Sequence, residues 1–235
     1  MEAIVLAGGF GTRLREVVSD VPKPMAQVAG RPFLEWMLDN LSVQGYSHVV
    51  LATGYKHEVI EQHFGNEYCG LKIDYAVETE PLGTGGAIVN GLTLCGEDEV
   101  TVLNGDTFLA IDHKDFRSFA EQKGCGLTMV AREVDDAGRY GSVVINEDGK
   151  VIGFEEKSEQ KKHGHINGGI YRLKASLLAK YRVGESFSFE KEVLQQYYRH
   201  NNVFCYTTNC YFIDIGIPED YHKAQRDFAE RRPER

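Results

Sequence analysis

The residues with the clearest chemical meaning lie at the start of the chain. A short apolar run, Ala3-Ile4-Val5-Leu6-Ala7, breaks into Gly8-Gly9-Phe10-Gly11-Thr12-Arg13-Leu14, and Pro22-Lys23-Pro24 follows further on. A buried strand feeding a glycine-rich turn is a phosphate-binding device. Its glycines let the backbone approach a ligand, and its consecutive N–H groups form an anion-binding nest. Arg13 and Lys23 bring two positive charges to the same mouth. That combination points to a nucleoside triphosphate. A Walker loop needs a lysine directly after its last glycine, whereas Lys23 stands outside the loop between two prolines. A dinucleotide fingerprint needs a third glycine where Leu14 stands, and the acidic residue that follows, Glu35, falls in an expected helix rather than at a strand end. A purely structural turn would explain the glycines but not Arg13 and Lys23.

Two single carboxylates form the second signal. Asp106 closes the apolar run that ends in Asn104-Gly105-Asp106, and Asp214 closes Tyr211-Phe212-Ile213-Asp214. Two carboxylates completed by phosphate oxygens and water are a typical magnesium arrangement. Each alone could equally be a strand-end turn or a helix cap. A second glycine-rich turn, Thr79-Glu80-Pro81-Leu82-Gly83-Thr84-Gly85-Gly86, opens a helix, with Glu78 and Glu80 beside it. A carboxylate there could accept hydrogen bonds from the N1–H and N2–H₂ edge of guanine and would repel the O4 face of uracil or thymine. Acidic residues also stabilise a helix N-terminus without any ligand, so both readings stay open. Arg139-Tyr140-Gly141, Glu155-Glu156-Lys157 and Asn167-Gly168-Gly169 could hold a sugar phosphate, although exposed hairpins often carry runs such as Glu-Glu-Lys.

The elements that must position these residues alternate through the first half. Strands are expected at Ile4–Ala7, His48–Thr53, Leu71–Val77 and Val100–Leu103, with helices at Pro32–Leu41, His57–Phe64, Gly85–Leu94 and Asp115–Lys123. This rhythm predicts an α/β fold, Rossmann-like, with three αβα layers and a mostly parallel central sheet. Ligands of such sheets bind at the carboxyl ends of the strands, where Gly8 and Asp106 fall. The second half changes character. Strands at Leu127–Ala131, Ser142–Ile145, Val151–Glu155 and His165–Leu173 are closely spaced around the hairpin turn Glu147-Asp148-Gly149, which predicts an added antiparallel, sugar-binding layer. A helix at Ser188–Arg199, strands at Val203–Thr207 and Tyr211–Asp214, and a helix at Pro218–Arg226 complete the chain. One domain is expected over residues 1–235, with 1–125 mainly nucleotide-binding and 126–235 mainly sugar-phosphate-binding.

Composition narrows the function classes. With 42% apolar and 26% charged residues the chain reads as globular. A net charge of −9 disfavours nucleic acid as a partner. An acidic protein that handles phosphates must concentrate its cations locally and recruit a divalent ion. No apolar run is long enough to span a membrane, and a cytoplasmic location is expected. The five cysteines are scattered with no C-x-x-C pair, so reduced thiols are expected and zinc is not.

Taken together, Leu6–Leu14, Pro22-Lys23-Pro24-Met25, Pro81–Gly86, Asn104-Gly105-Asp106, Phe154-Glu155-Glu156-Lys157, Asn167-Gly168-Gly169 and the strand end at Asp214 resemble the sugar-phosphate nucleotidyltransferases, in that family's order and over nearly the whole chain. The resemblance implies that Gly8, Gly9, Gly11, Thr12, Arg13 and Lys23 bind the triphosphate and that Gly83 touches the base; Leu6, Glu78, Glu80 and Thr84 are further candidates for the nucleotide site. It also implies that Arg13, Lys23 and Asp106 are catalytic, that Asp106 and Asp214 hold Mg²⁺, and that Asn104, Tyr140, Gly141, Glu156, Lys157 and Asn167 hold the sugar phosphate. The wording of Val17-Val18 through Met25 and of Val28–Phe33 is most similar to the branch that guanylylates a heptose 1-phosphate. GTP and a sugar 1-phosphate are therefore the expected substrates. Mannose-1-phosphate guanylyltransferases and thymidylyl or uridylyl relatives are the alternatives within the family, and a homodimer is the default assembly. The hexapeptide-repeat extension of many relatives is absent from this sequence. A non-catalytic nucleotide-sugar sensor could dispense with Lys23 or a metal carboxylate, and all are present. A glycosyltransferase would place its metal in a D-x-D pair, whereas Thr107-Phe108 follow Asp106.

Overall fold

The computed structural model describes residues 1–9, 21–137, 142–155 and 163–230. Short apolar runs flanked by glycine or polar turns become the inner strands. In chain order the elements are β1 (Glu2–Leu6), β2 (Gln27–Val28), β3 (Arg31–Pro32), α1 (Phe33–Val43), β4 (His48–Thr53), α2 (His57–Phe64), β5 (Glu67–Tyr68) and β6 (Leu71–Val77). Then come α3 (Gly83–Leu92), β7 (Glu99–Asn104), β8 (Thr107–Leu109), α4 (His113–Lys123), β9 (Leu127–Val134), β10 (Ser142–Ile145) and β11 (Val151–Glu155). β12 (Gly164–Lys174), α5 (Gln195–Tyr197), β13 (Phe204–Thr208), β14 (Phe212–Asp214) and α6 (Pro218–Glu230) follow.

Among the described residues one ten-stranded sheet runs through both halves of the chain, in the order β11-β10-β12-β7-β1-β4-β6-β5, with β9 on the other flank of β12 and β13 beside β9. β7, β1, β4 and β6 are mutually parallel. The antiparallel strands do not form a separate layer but continue the same sheet from β7 through β12. Strand alternation sends Ala3 and Val5 into one core, with α1, Ile60 and Phe64 of α2, and α6, and Ile4 into the other, with α3 and Phe189. Helices cover both faces, as a buried parallel sheet requires.

Local chemistry explains the boundaries. Asp112 caps α4 through the N–H groups of Lys114 and Asp115, so the helix begins at His113, two residues earlier than expected. Gly124 ends it in the left-handed conformation. The expected single helix over Ser188–Arg199 is instead a π-helical turn, Phe189–Leu194, followed by the short α5. The strand β8 was not expected. It pairs antiparallel with β14 and sets Thr107 opposite Asp214.

Candidate active site

Four parallel strands, β7, β1, β4 and β6, end side by side, and a cavity of about 520 Å³ opens across their carboxyl ends. At roughly 4.8 Å per strand, the step from β7 to β6 spans about 14 Å. Asn104, Gly105 and Asp106 line the β7 end, Leu6, Gly8 and Gly9 the β1 end, and Gly54 and Tyr55 the β4 end. Glu78, Thr79, Glu80 and Pro81 extend from β6, and Gly83, Thr84 and Ala87 come from the start of α3.

Two close backbone approaches shape this floor. A Cβ on Gly105 would lie 2.5 Å from the carbonyl oxygen of Leu6, to which the Gly105 N–H donates at 3.0 Å. A Cβ on Gly8 would meet a Glu78 oxygen at 3.2 Å, and Gly54 packs against the Gly8 carbonyl. Glycine at 105 thus lets β7 close on β1 and brings Asp106 beside the Gly8-Gly9 turn. A Cβ on Gly9 would meet no atom of the described residues within 4 Å, and Gly9 lines the cavity.

Lys23 arrives from a different element. Pro22 leads into a 3₁₀ turn, Lys23–Met25, whose Met25 N–H donates to the Pro22 carbonyl at 2.8 Å. Met25 is buried, which anchors the turn. The Lys23 ammonium donates to Asp106 Oδ2 at 2.5 Å. Asp214 reaches the same cluster because β14 pairs with β8 and the Ile215 N–H donates to the Asp106 carbonyl at 3.0 Å. Burial pushes the Asp214 carboxyl above the usual carboxylate range, and the charge of Asp106 adds to this. The Gly216 N–H on Asp214 Oδ1, at 2.7 Å, and Lys23 pull the other way. Among the described residues two carboxylates face one ammonium here, and that carboxylate pair is a donor set that fits a divalent cation. Among the described residues no group of three or more metal-ligating side chains occurs, so a cation held here would take its other ligands from phosphate and water.

At the opposite end, Glu78 Oε2 accepts the Leu82 N–H at 3.0 Å, and burial raises its carboxyl above the ordinary range. One carboxylate oxygen is committed to the turn, and the side chain still faces the cavity. Thr84 also lines the cavity, but its hydroxyl donates to Glu190 Oε2 at 2.6 Å and accepts the Phe189 N–H at 2.9 Å. Asn104 lines the cavity, and its Oδ1 is buried with no hydrogen-bond partner among the described residues. Such an acceptor is satisfied by an ordered water or by a ligand donor. Asn167 spends both ends of its amide locally. Its Nδ2 donates to the Tyr171 hydroxyl at 2.6 Å and its Oδ1 accepts the Gly169 N–H at 3.0 Å. It therefore braces the Gly168-Gly169 bulge of β12, where a Cβ on Gly169 would press on Asn104 Nδ2 and Thr107 Oγ1, both at 2.9 Å.

The structure thus gathers Leu6, Gly8, Gly9, Lys23, Glu78, Glu80, Gly83, Thr84, Asn104 and Asp106 around one cavity, with Asp214 beside Asp106. Gly11, Thr12, Arg13, Tyr140, Gly141, Glu156 and Lys157 lie outside the described residues. Gly54, Tyr55 and Glu190 were not singled out by the sequence. The first two could have been found as the continuation of the buried strand His48–Thr53. Glu190 carried no local signal.

A cavity across the carboxyl ends of a parallel sheet, with glycine turns at its floor and a lysine–aspartate–aspartate cluster at one end, defines a nucleotide-binding α/β protein. The chain belongs to the nucleotidyl transferase family, whose profile matches residues 2–231. It is 44% identical to D-glycero-alpha-D-manno-heptose 1-phosphate guanylyltransferase from Aneurinibacillus thermoaerophilus, over 97% of this chain and 98% of that protein. It is 46% identical to the Campylobacter jejuni protein of the same name, over 94% and 97%. A crystal structure of HddC from Yersinia pseudotuberculosis complexed with GMP-PN superposes with a TM-score of 0.87 at 38% identity, covering 97% of this chain and 99% of that one.

Proposed function

We propose that the protein transfers a guanylyl group from GTP to a sugar 1-phosphate, D-glycero-α-D-manno-heptose 1-phosphate in the first place, and releases pyrophosphate. The observation that carries this reading is the layout of the cavity. A phosphate-handling cluster, Lys23–Asp106–Asp214, stands at the β7 end of the cavity, and the turn after β6 brings two carboxylates, Glu78 and Glu80, that suit the donor edge of guanine. The names of the full-length relatives supply the sugar.

The chemistry asks little of the protein beyond position and charge. A phosphate monoester loses its second proton near pH 6, so the attacking oxygen of the sugar 1-phosphate is already ionised and needs no general base. It attacks the α-phosphorus in line, the new P–O bond forms, and the bond to the pyrophosphate oxygen breaks. The obstacle is repulsion between two anions. Lys23 neutralises charge at the α-phosphate, and the glycine turn at Gly8-Gly9 offers backbone N–H groups to the triphosphate. Asp106 and Asp214 are the residues that would hold Mg²⁺, which supplies further charge neutralisation at the transferring phosphate. Asn104, at the cavity wall, would contact a sugar or ribose hydroxyl.

Incubation with each common NTP against a panel of sugar 1-phosphates, with the nucleotide sugar identified by mass spectrometry, tests the reading. GDP-heptose as the dominant product supports it. A different base or sugar would overturn the specificity, and loss of all product on chelation would support the cation. A specific second reading is mannose 1-phosphate as acceptor, because the chain is 34% identical to Mannose-1-phosphate guanylyltransferase from Mycobacterium tuberculosis over 97% of its length, while spanning 65% of that protein.

A further inference from the structure

The turn that opens α3 is held from outside the cavity by a segment of the second half of the chain. We propose that Glu190, acting through the Thr84 hydroxyl, is the positioning residue that fixes this turn for the nucleotide; this rests on reading the cavity as a nucleotide site. Residues 81–86 and 185–190 run against each other, joined by backbone hydrogen bonds, by the Ser186 hydroxyl and by the Phe187 ring seated on Gly85. The Ser186 hydroxyl donates to the Pro81 carbonyl at 3.1 Å, the Phe187 N–H to the Leu82 carbonyl at 3.0 Å, and the Gly85 N–H to the Phe187 carbonyl at 3.0 Å. A Cβ on Gly83, whose φ is +67°, would lie 2.6 Å from the Phe187 carbonyl oxygen. On Gly85 it would overlap the Phe187 ring, and on Gly86 the Glu185 carbonyl.

Thr84 is the point where this contact meets the cavity. Its hydroxyl donates its one proton to Glu190 Oε2 and accepts from the Phe189 N–H. These two bonds fix the side-chain rotamer, so the rest of Thr84 presents a fixed wall to the ligand. The carboxylate is itself held, because the Ser188 hydroxyl donates to Glu190 Oε2 at 3.2 Å. Glu190 lies in the π-helical turn Phe189–Leu194, a geometry that recurs at functional sites. Its charge is also felt by buried Tyr171, the residue that receives the Asn167 amide. Glu190 thus stands between the base turn and the strand that carries the Gly168-Gly169 bulge, with its strongest bond on the base turn.

The test measures binding of a non-hydrolysable GTP analogue and steady-state kinetics of pyrophosphate release with GTP and heptose 1-phosphate. Glu190→Ala should raise the analogue Kd and the KM for GTP by about tenfold, which is ~1.4 kcal/mol. kcat should stay within about threefold, because Lys23 and Asp106 lie at the other end of the cavity. Glu190→Gln keeps an oxygen that accepts the Thr84 proton and should restore most of the affinity. Thr84→Val removes the same bond and also the acceptor of the Phe189 N–H, so it should lose at least as much as Glu190→Ala, and the double variant should be no worse than Thr84→Val alone. Thr84→Val also carries the test if Glu190→Ala fails to fold. An unchanged Kd in Glu190→Ala, or a further loss when it is added to Thr84→Val, would overturn the proposal. Wild-type protein that binds no GTP analogue would instead refute the nucleotide reading.

Discussion

Gly105→Ala is the sharpest single perturbation of the site's construction. The new methyl would stand 2.5 Å from the Leu6 carbonyl oxygen and 3.3 Å from Ala7 Cα, both backbone atoms in the middle of a buried sheet. No rotamer can relieve such a contact, so the end of β7 must move away from β1 by close to an ångström. Overpacking of this kind costs about 1–3 kcal/mol, and weakening the Gly105 N–H to Leu6 bond adds about 1 kcal/mol. A stability loss of about 2–4 kcal/mol corresponds to a fall in Tm of very roughly 4–16 °C for a chain of this size. The functional effect should be larger, because Asp106 is the next residue and a misplacement near 1 Å can cost about 10²-fold in turnover. Gly9→Ala is the control. Its methyl would meet no atom of the described residues within 4 Å, so its Tm should stay within a degree or two while nucleotide affinity falls. Thermal unfolding and pyrophosphate-release kinetics on both variants decide the matter. Wild-type turnover in Gly105→Ala would refute the claim that this close approach places Asp106.

Two further outcomes are expected. Lys23→Ala should lower kcat on the order of 10²-fold with the fold retained, by removing the charge at the α-phosphate; near-wild-type turnover with unchanged circular dichroism would remove Lys23 from the mechanism. His113 is buried, its Nδ1 lies 3.0 Å from the Tyr46 hydroxyl, and its Nε2 has no partner among the described residues. Burial lowers its pKa from 6.5 to about 4. The unfolded chain therefore binds the proton more readily, and stability is full above pH 6.5 and lost as pH falls toward 4, by an upper bound of about 3 kcal/mol. His113→Leu should flatten the denaturant midpoint against pH over that window, and an unchanged slope would assign the acid sensitivity to other groups.

Much of the scaffold was legible because its signals are local. His48–Thr53, His57–Phe64, Leu71–Val77, Ser142–Ile145 and Val151–Glu155 have the boundaries their patterns predict, each being bracketed by glycine or polar turn residues. The glycine turn, Lys23 and the two aspartates were legible as residue types, since few other roles place single charges beside buried strands. What was hidden is long-range. The three residues of β8 are too short for any periodicity, yet their pairing with β14 is what brings Asp214 to Asp106. The π-helical turn at Phe189–Leu194 carries a helical composition and a non-α hydrogen-bond pattern that composition does not encode. Thr84 read as a ligand contact, and only the fold shows that its hydroxyl is engaged by Glu190, more than a hundred positions away.

The central claim is that this cavity joins GTP to a sugar 1-phosphate, and the most direct test is whether pyrophosphate release requires the acceptor. Pyrophosphate should appear only when GTP and D-glycero-α-D-manno-heptose 1-phosphate are both present, in equal amount to the GDP-sugar formed. Release from GTP alone at a comparable rate, or no release with any sugar phosphate from protein that binds GTP, would contradict it.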